Sequence, residues 1–136
     1  MQTESFETLY IICRKDAQSM RDYPGKVAAQ ASHATNLFIK TAKEENVDIS
    51  GWENQTEQGF GTCIVLETYD WAKTIQHIKL FDALYYVTGI VTDPTYPLMD
   101  GSVLHTLPFD TCAFVYTPDR QDDNVKLLLA GYSLYV

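Results

Sequence analysis

The sequence predicts a three-layer α/β domain, a sheet packed between two layers of helices. Three observations predict it. Four apolar runs rich in β-formers are spread along the chain. Amphipathic helical patterns alternate with them in the order β-α-β-α-β-β-α, the signature of a sheet covered on both faces. The chain has 136 residues, an apolar fraction of 46% and no internal repeat or linker, so residues 1–136 read as one domain with a sizeable core.

Leu9 to Cys13, L-Y-I-I-C, is continuously apolar and reads as a strand buried on both faces. Arg14-Lys15-Asp16 closes it, and a polar loop follows to Tyr23. Pro24 and Gly25 then open a helix expected to run to about Glu45, because Pro presets the first turn and Ala28, Ala29, Ala31 and Ala34 favour helix strongly. Asn46 to Gly61 is polar and aperiodic, a loop with a short helical turn around Trp52–Gln58. Thr62 to Glu67, T-C-I-V-L-E, is a second buried strand, and Asp70 is the expected N-cap of a helix carrying Trp71, Ile75, Ile78 and Leu80. Leu84 to Val91 reads as a third strand and Thr111 to Tyr116 as a fourth. Between them Pro94, Pro97, Gly101 and Pro108 mark either a long connection or an extended hairpin. After Pro118-Asp119 a last helix carries Val125, Leu127, Leu128 and Leu129, and Tyr132–Val136 is an apolar tail that docks on the core.

Composition excludes several classes. No apolar run reaches the roughly 20 residues of a membrane helix, and the opening M-Q-T-E-S-F-E-T has neither the basic nor the apolar region of a signal peptide. Cys13, Cys63 and Cys112 are odd in number, widely spaced and set in apolar runs. They predict three buried, unpaired thiols and a reducing, cytoplasmic compartment. His33, His77 and His105 lack ligand spacing with Cys or carboxylates, so no metal site and no cofactor are expected. The net charge of −8 opposes a broad nucleic-acid surface. The charge is uneven, though: residues 1–43 hold six basic and four acidic groups, net +2, and residues 44–136 hold four and fourteen, net −10. A basic rim around the first long helix can still meet RNA weakly and salt-dependently.

Lys26, Gln30 and His33 stand at i, i+4 and i+7 of that helix and are expected on one face. A solvated face has the same spacing. Lys26 lies in the first turn, where free backbone N–H groups already attract anions, so a cation there gives the helix little and suits a ligand. G-x-x-x-x-G-K-[ST] is absent, so this is not a nucleotide phosphate loop.

L-Y-I-I-C-R-K-D followed by P-G-K-V-A-A-Q-A-S-H-A resembles the opening of the type II peptidyl-tRNA hydrolases, densely over residues 9–34 and more loosely to the end of the chain. The resemblance implies a mixed four-stranded sheet of order 2-1-4-3 with the last strand antiparallel, and hydrolysis of the ester joining a peptide to the tRNA 3′ end. It implies catalytic roles for Lys26, Asp93 in G-I-V-T-D-P-T and Thr111, with Gln30 positioning substrate and His33 in a supporting or structural role. It also implies a homodimer whose partner is tRNA or peptidyl-tRNA. Asp93 is followed by Pro94-Thr95-Tyr96-Pro97 where the family has Ala-Gly-Arg-Thr. The arginine is gone, Thr95 or Thr106 stands for the second threonine, and the segment before Thr111 is longer. A non-enzymatic module on the same scaffold, binding a nucleotide, an RNA end or a protein, is the alternative; a purely structural role comes third.

Overall fold

A computed structural model describes residues 6–136. Its elements are β1 (Thr8–Arg14), α1 (Gln18–Arg21), α2 (Pro24–Glu44), α3 (Ser50–Glu53), β2 (Thr62–Thr68), α4 (Trp71–Ala83), β3 (Val87–Asp100), β4 (Val103–Thr117), α5 (Asp123–Leu129) and β5 (Ser133–Leu134). They form one mixed sheet of order β3-β4-β1-β2-β5. β1 and β2 are parallel, which requires a long crossover between them. β4 is antiparallel to both of its neighbours, β1 and β3.

The expected four-stranded sheet is therefore not matched in full. β1 to β4 follow the order 2-1-4-3, but β5 adds a fifth strand, with Leu134 and Ser133 pairing Leu66 and Glu67 of β2. The tail after α5 uses backbone hydrogen bonds as well as its apolar side chains, which is why apolar content alone did not mark it as a strand.

Side-chain alternation divides the core between the two faces. Leu9, Ile11 and Cys13 of β1 and Cys112, Phe114 and Tyr116 of β4 meet α2. Ile12, Ala113 and Val115 meet α4 and α5 on the other side. On the first face Phe38 is the hub: its ring lies 5.2 Å from Trp52, 5.9 Å from Phe114 and 5.1 Å from Tyr116. Gly89 pairs with Phe114, and a Cβ there would collide with the Phe114 ring, so the close packing requires glycine. Asp70 caps α4 as the sequence predicts, accepting from the Lys73 N–H at 3.1 Å.

Three local differences have plain causes. Leu84–Tyr86 is not strand: it forms the C-terminal turn of α4, with Tyr85 in the left-handed region at φ 69°. The segment from Thr92 to Asp110 is the extended hairpin of the two alternatives, turning at Gly101 with φ 60°. The polar loop before Tyr23 contains the short α1, which buries Met20. Among the described residues no helix is long and apolar enough to cross a membrane.

Candidate active site

The first turn of α2 has no side-chain cap and no acidic residue; Pro24 occupies its first position and Lys26 follows. One turn on, Gln30 joins the stripe Val27, Ala34, Phe38 and Ala42 that faces the sheet, and is only 4% exposed. The expected common face for Lys26, Gln30 and His33 does not form. The helix turns Gln30 inward, leaves Lys26 half-buried at the edge, and leaves His33 exposed, without a hydrogen bond or ion pair among the described residues. The spacing fits either stripe, and the sheet selects the one rich in Val, Ala and Phe.

Gln30 connects two strands. The fully buried Thr111 of β4 donates from Oγ1 to Gln30 Oε1 at 2.7 Å. Gln30 Nε2 donates to Asp93 Oδ2 of β3 at 2.9 Å. A carboxylate only accepts, so the amide has one satisfactory orientation, and Thr111 must be the donor. The other carboxylate oxygen, Asp93 Oδ1, accepts the Thr95 backbone N–H at 3.0 Å; the Thr95 side chain is exposed. Asp93 lies between two breaks in the β3–β4 register, at Val91/Thr92 and Asp93/Tyr96. Such irregularities re-aim side chains, and here the strand presents Asp93 to α2.

Past the second break, Tyr96 is almost fully buried. Its ring stacks on Phe109 at 4.9 Å, and its hydroxyl donates to Ser19 Oγ at 3.1 Å. Burial, with the negative charge of Asp93 beside it, pushes the Tyr96 hydroxyl above its ordinary range against the opposing Ser19 hydrogen bond. The Lys26 ammonium sits 5.1 Å from the Tyr96 ring and 5.0 Å from the Tyr23 ring. Tyr96 thus links the two charges, with Asp93 near its hydroxyl and Lys26 over its face. Beside Lys26 opens a cleft of about 450 Å³, lined among others by Asp22, Tyr23, Leu98, Met99 and Phe109.

The basic rim is mostly neutralised. Arg14 grips Asp16 with two hydrogen bonds, at 3.0 and 2.8 Å, while its guanidinium lies over the Trp71 and Phe109 rings. Lys15 pairs with Glu67 at 2.8 Å, Arg21 with Asp22 at 3.8 Å and Lys40 with Glu44 at 3.9 Å. Lys26 has no carboxylate partner among the described residues. Among them, too, no three His, Cys, Asp or Glu side chains group as metal ligands would.

Sequence reasoning missed Tyr96, Phe109 and the two-ring seat of Lys26. The available signal was Tyr96 between two prolines, a residue placed with care rather than a loop filler. The cysteine expectation needs one correction. Cys13 and Cys112 are buried, unpaired and directly opposite across β1 and β4, and the hydrogen bond between them, with burial, drives the Cys13 thiol far above its ordinary range. Cys63 is exposed although the Thr35 side chain of α2 reaches it, because α2 packs mainly on β1, β3 and β4.

No protein-family model matches the chain, and no curated protein matches it in sequence. Among solved structures it is similar to a protein of unknown function from Agrobacterium tumefaciens, with a TM-score of 0.53 at 9% identity, covering 96% of this chain and 98% of that one. At that identity the likeness concerns the fold.

Proposed function

We propose that the chain hydrolyses the ester bond between the peptide and the tRNA 3′ end in peptidyl-tRNA, as its motif resemblance implies. The observation that carries the reading is the Thr111–Gln30–Asp93 chain of hydrogen bonds, with Tyr96 between Asp93 and the Lys26 ammonium that lies 5.1 Å from its ring. Ester hydrolysis requires a base for water and a positive group for the developing oxyanion. Asp93 supplies the first. Gln30 and the Thr95 N–H each take one of its lone pairs, leaving capacity to accept a proton from water. The water oxygen bonds to the ester carbonyl carbon, Lys26 faces the oxyanion, and the carbon–oxygen bond to the ribose then breaks as Asp93 passes the proton it took from water to the ribose oxygen. The products are a peptide carboxylate and a tRNA 3′-hydroxyl.

Gln30 and Thr111 act through Asp93. Both are buried, and both ends of the Gln30 amide are engaged, so in this reading they are positioning residues rather than substrate contacts. His33 and Thr95 have exposed side chains that can meet only the flanks of a large substrate. The working unit is a cytoplasmic homodimer, as in the family it resembles.

The test is hydrolysis of a mixed pool of peptidyl-tRNAs by the purified protein, followed by release of free tRNA. One observation favours a second reading, a binding module: Lys26 rests on two tyrosine rings where the family motif has an arginine nearby. Retention of tRNA without release of peptide selects that reading.

A further inference from the structure

We infer that the cleft beside Lys26 receives the side chain of the amino acid esterified to tRNA, and that it selects large apolar residues. This rests on the ester-hydrolase reading above. A cleft of about 450 Å³ has room for an aromatic or branched side chain together with part of the peptide backbone. Its geometry relative to the reaction is constrained. The oxyanion faces the Lys26 ammonium, and the amino-acid side chain branches one carbon from that carbonyl, so it must lie within a short reach of Lys26. The cleft that Lys26 itself lines meets that requirement.

Two features favour the acyl side of the substrate over its nucleotide side. Pro97, Leu98 and Met99 of β3 and Phe109 of β4 give the cleft an apolar wall, and Met99 is 64% exposed. An apolar wall is the usual means of holding an apolar side chain. Asp22 also lines the cleft, only loosely paired with Arg21 at 3.8 Å, and a carboxylate there repels a terminal phosphodiester. Pro97 ends the Pro94–Pro97 stretch that stands where the family has Ala-Gly-Arg-Thr, and Leu98 and Met99 follow it directly along β3.

The experiment compares kcat/KM for N-acetylated phenylalanyl, leucyl, glycyl and aspartyl esters, all carried on one tRNA body. Apolar pockets discriminate by about 10-fold to 200-fold, so the phenylalanyl and leucyl esters should exceed the other two by at least about tenfold. Met99→Asp should narrow that ratio to about twofold or less, and Leu98→Ala should narrow it partly; taking the ratio within each protein removes any common loss of folded enzyme. Equal rates for the four esters with the wild type overturn the inference and leave the hydrolase reading standing. An unchanged ratio in both variants also overturns it. If none of the esters is cleaved, the hydrolase reading fails and this inference falls with it.

Discussion

β4 is one strand with two characters. From Thr111 to Thr117 every residue is buried; from Val103 to Pro108 every residue is exposed. The first half lies between α2 on one face and α4 and α5 on the other. The second half pairs only with β3, and the ribbon carries Met99, Val103, Leu104 and Leu107 at half to two-thirds exposure. A two-stranded ribbon is marginal alone. It is held at its base by Tyr96, Phe109 and the Tyr96–Ser19 hydrogen bond. The candidate site falls at the junction, where Thr111 begins the buried half and Asp93 sits between the register breaks. A rigid half supplies fixed positions and a projecting half supplies a wall, and neither provides both.

The comparison breaks if the two halves respond alike to truncation. Phe114→Ala, in the buried half, should cost about 3–5 kcal/mol of unfolding free energy. Leu104→Ala, in the ribbon, should stay within about 0.5 kcal/mol. Chemical denaturation of both variants measures the difference; equal losses would mean that the ribbon belongs to the core.

Thr111→Val sharpens the junction. It leaves Gln30 Oε1 buried without its donor, which should cost about 1–3 kcal/mol. Because Gln30 then holds Asp93 less firmly, kcat should fall while KM changes little. An unaltered kcat at lowered stability would reduce the hydrogen-bond chain to a structural role.

The smallest effect concerns the opposite face. His77 Nδ1 lies 2.7 Å from the Tyr132 hydroxyl, which is also 3.0 Å from Thr74 Oγ1. Burial, with Lys73 nearby, lowers the His77 pKa below its ordinary 6.5. The unfolded chain therefore binds a proton more readily than the folded one. The stabilisation is fully present above about pH 6.5 and is lost as the pH falls through the lowered value. Thermal midpoints between pH 7.5 and 5 should decline less in His77→Gln than in the wild type; identical slopes would remove His77 from the account.

How much of this was legible follows the same division. The buried half of β4, T-C-A-F-V-Y, stands out as an apolar run, and so do β1 and β2. The ribbon does not, because Pro94, Pro97 and Pro108 resemble loop punctuation. β3 is an edge strand, however, and an edge tolerates residues without an outward N–H. Lys26, Asp93 and Thr111 were singled out by the motif resemblance; the structure links Asp93 to Thr111 through Gln30. The inward turn of Gln30 was not legible, since its polarity argued for solvent and only the partners on β3 and β4 make burial affordable. Cys63 misled for a related reason: an apolar run signals a strand, but not how completely each of its side chains is covered.

Lys26 carries the charge that the oxyanion would face, so its removal separates chemistry from folding. Lys26→Ala removes a cation from the first turn of α2 and two ring contacts, small terms of opposite sign, so the thermal midpoint should hardly move. If the ammonium stabilises the oxyanion, kcat/KM on peptidyl-tRNA should fall about a hundredfold, equivalent to about 3 kcal/mol. Lys26→Arg should restore little of it, because a planar fork does not replace a compact point charge. Wild-type kcat/KM in Lys26→Ala, with an unchanged midpoint, would contradict the account.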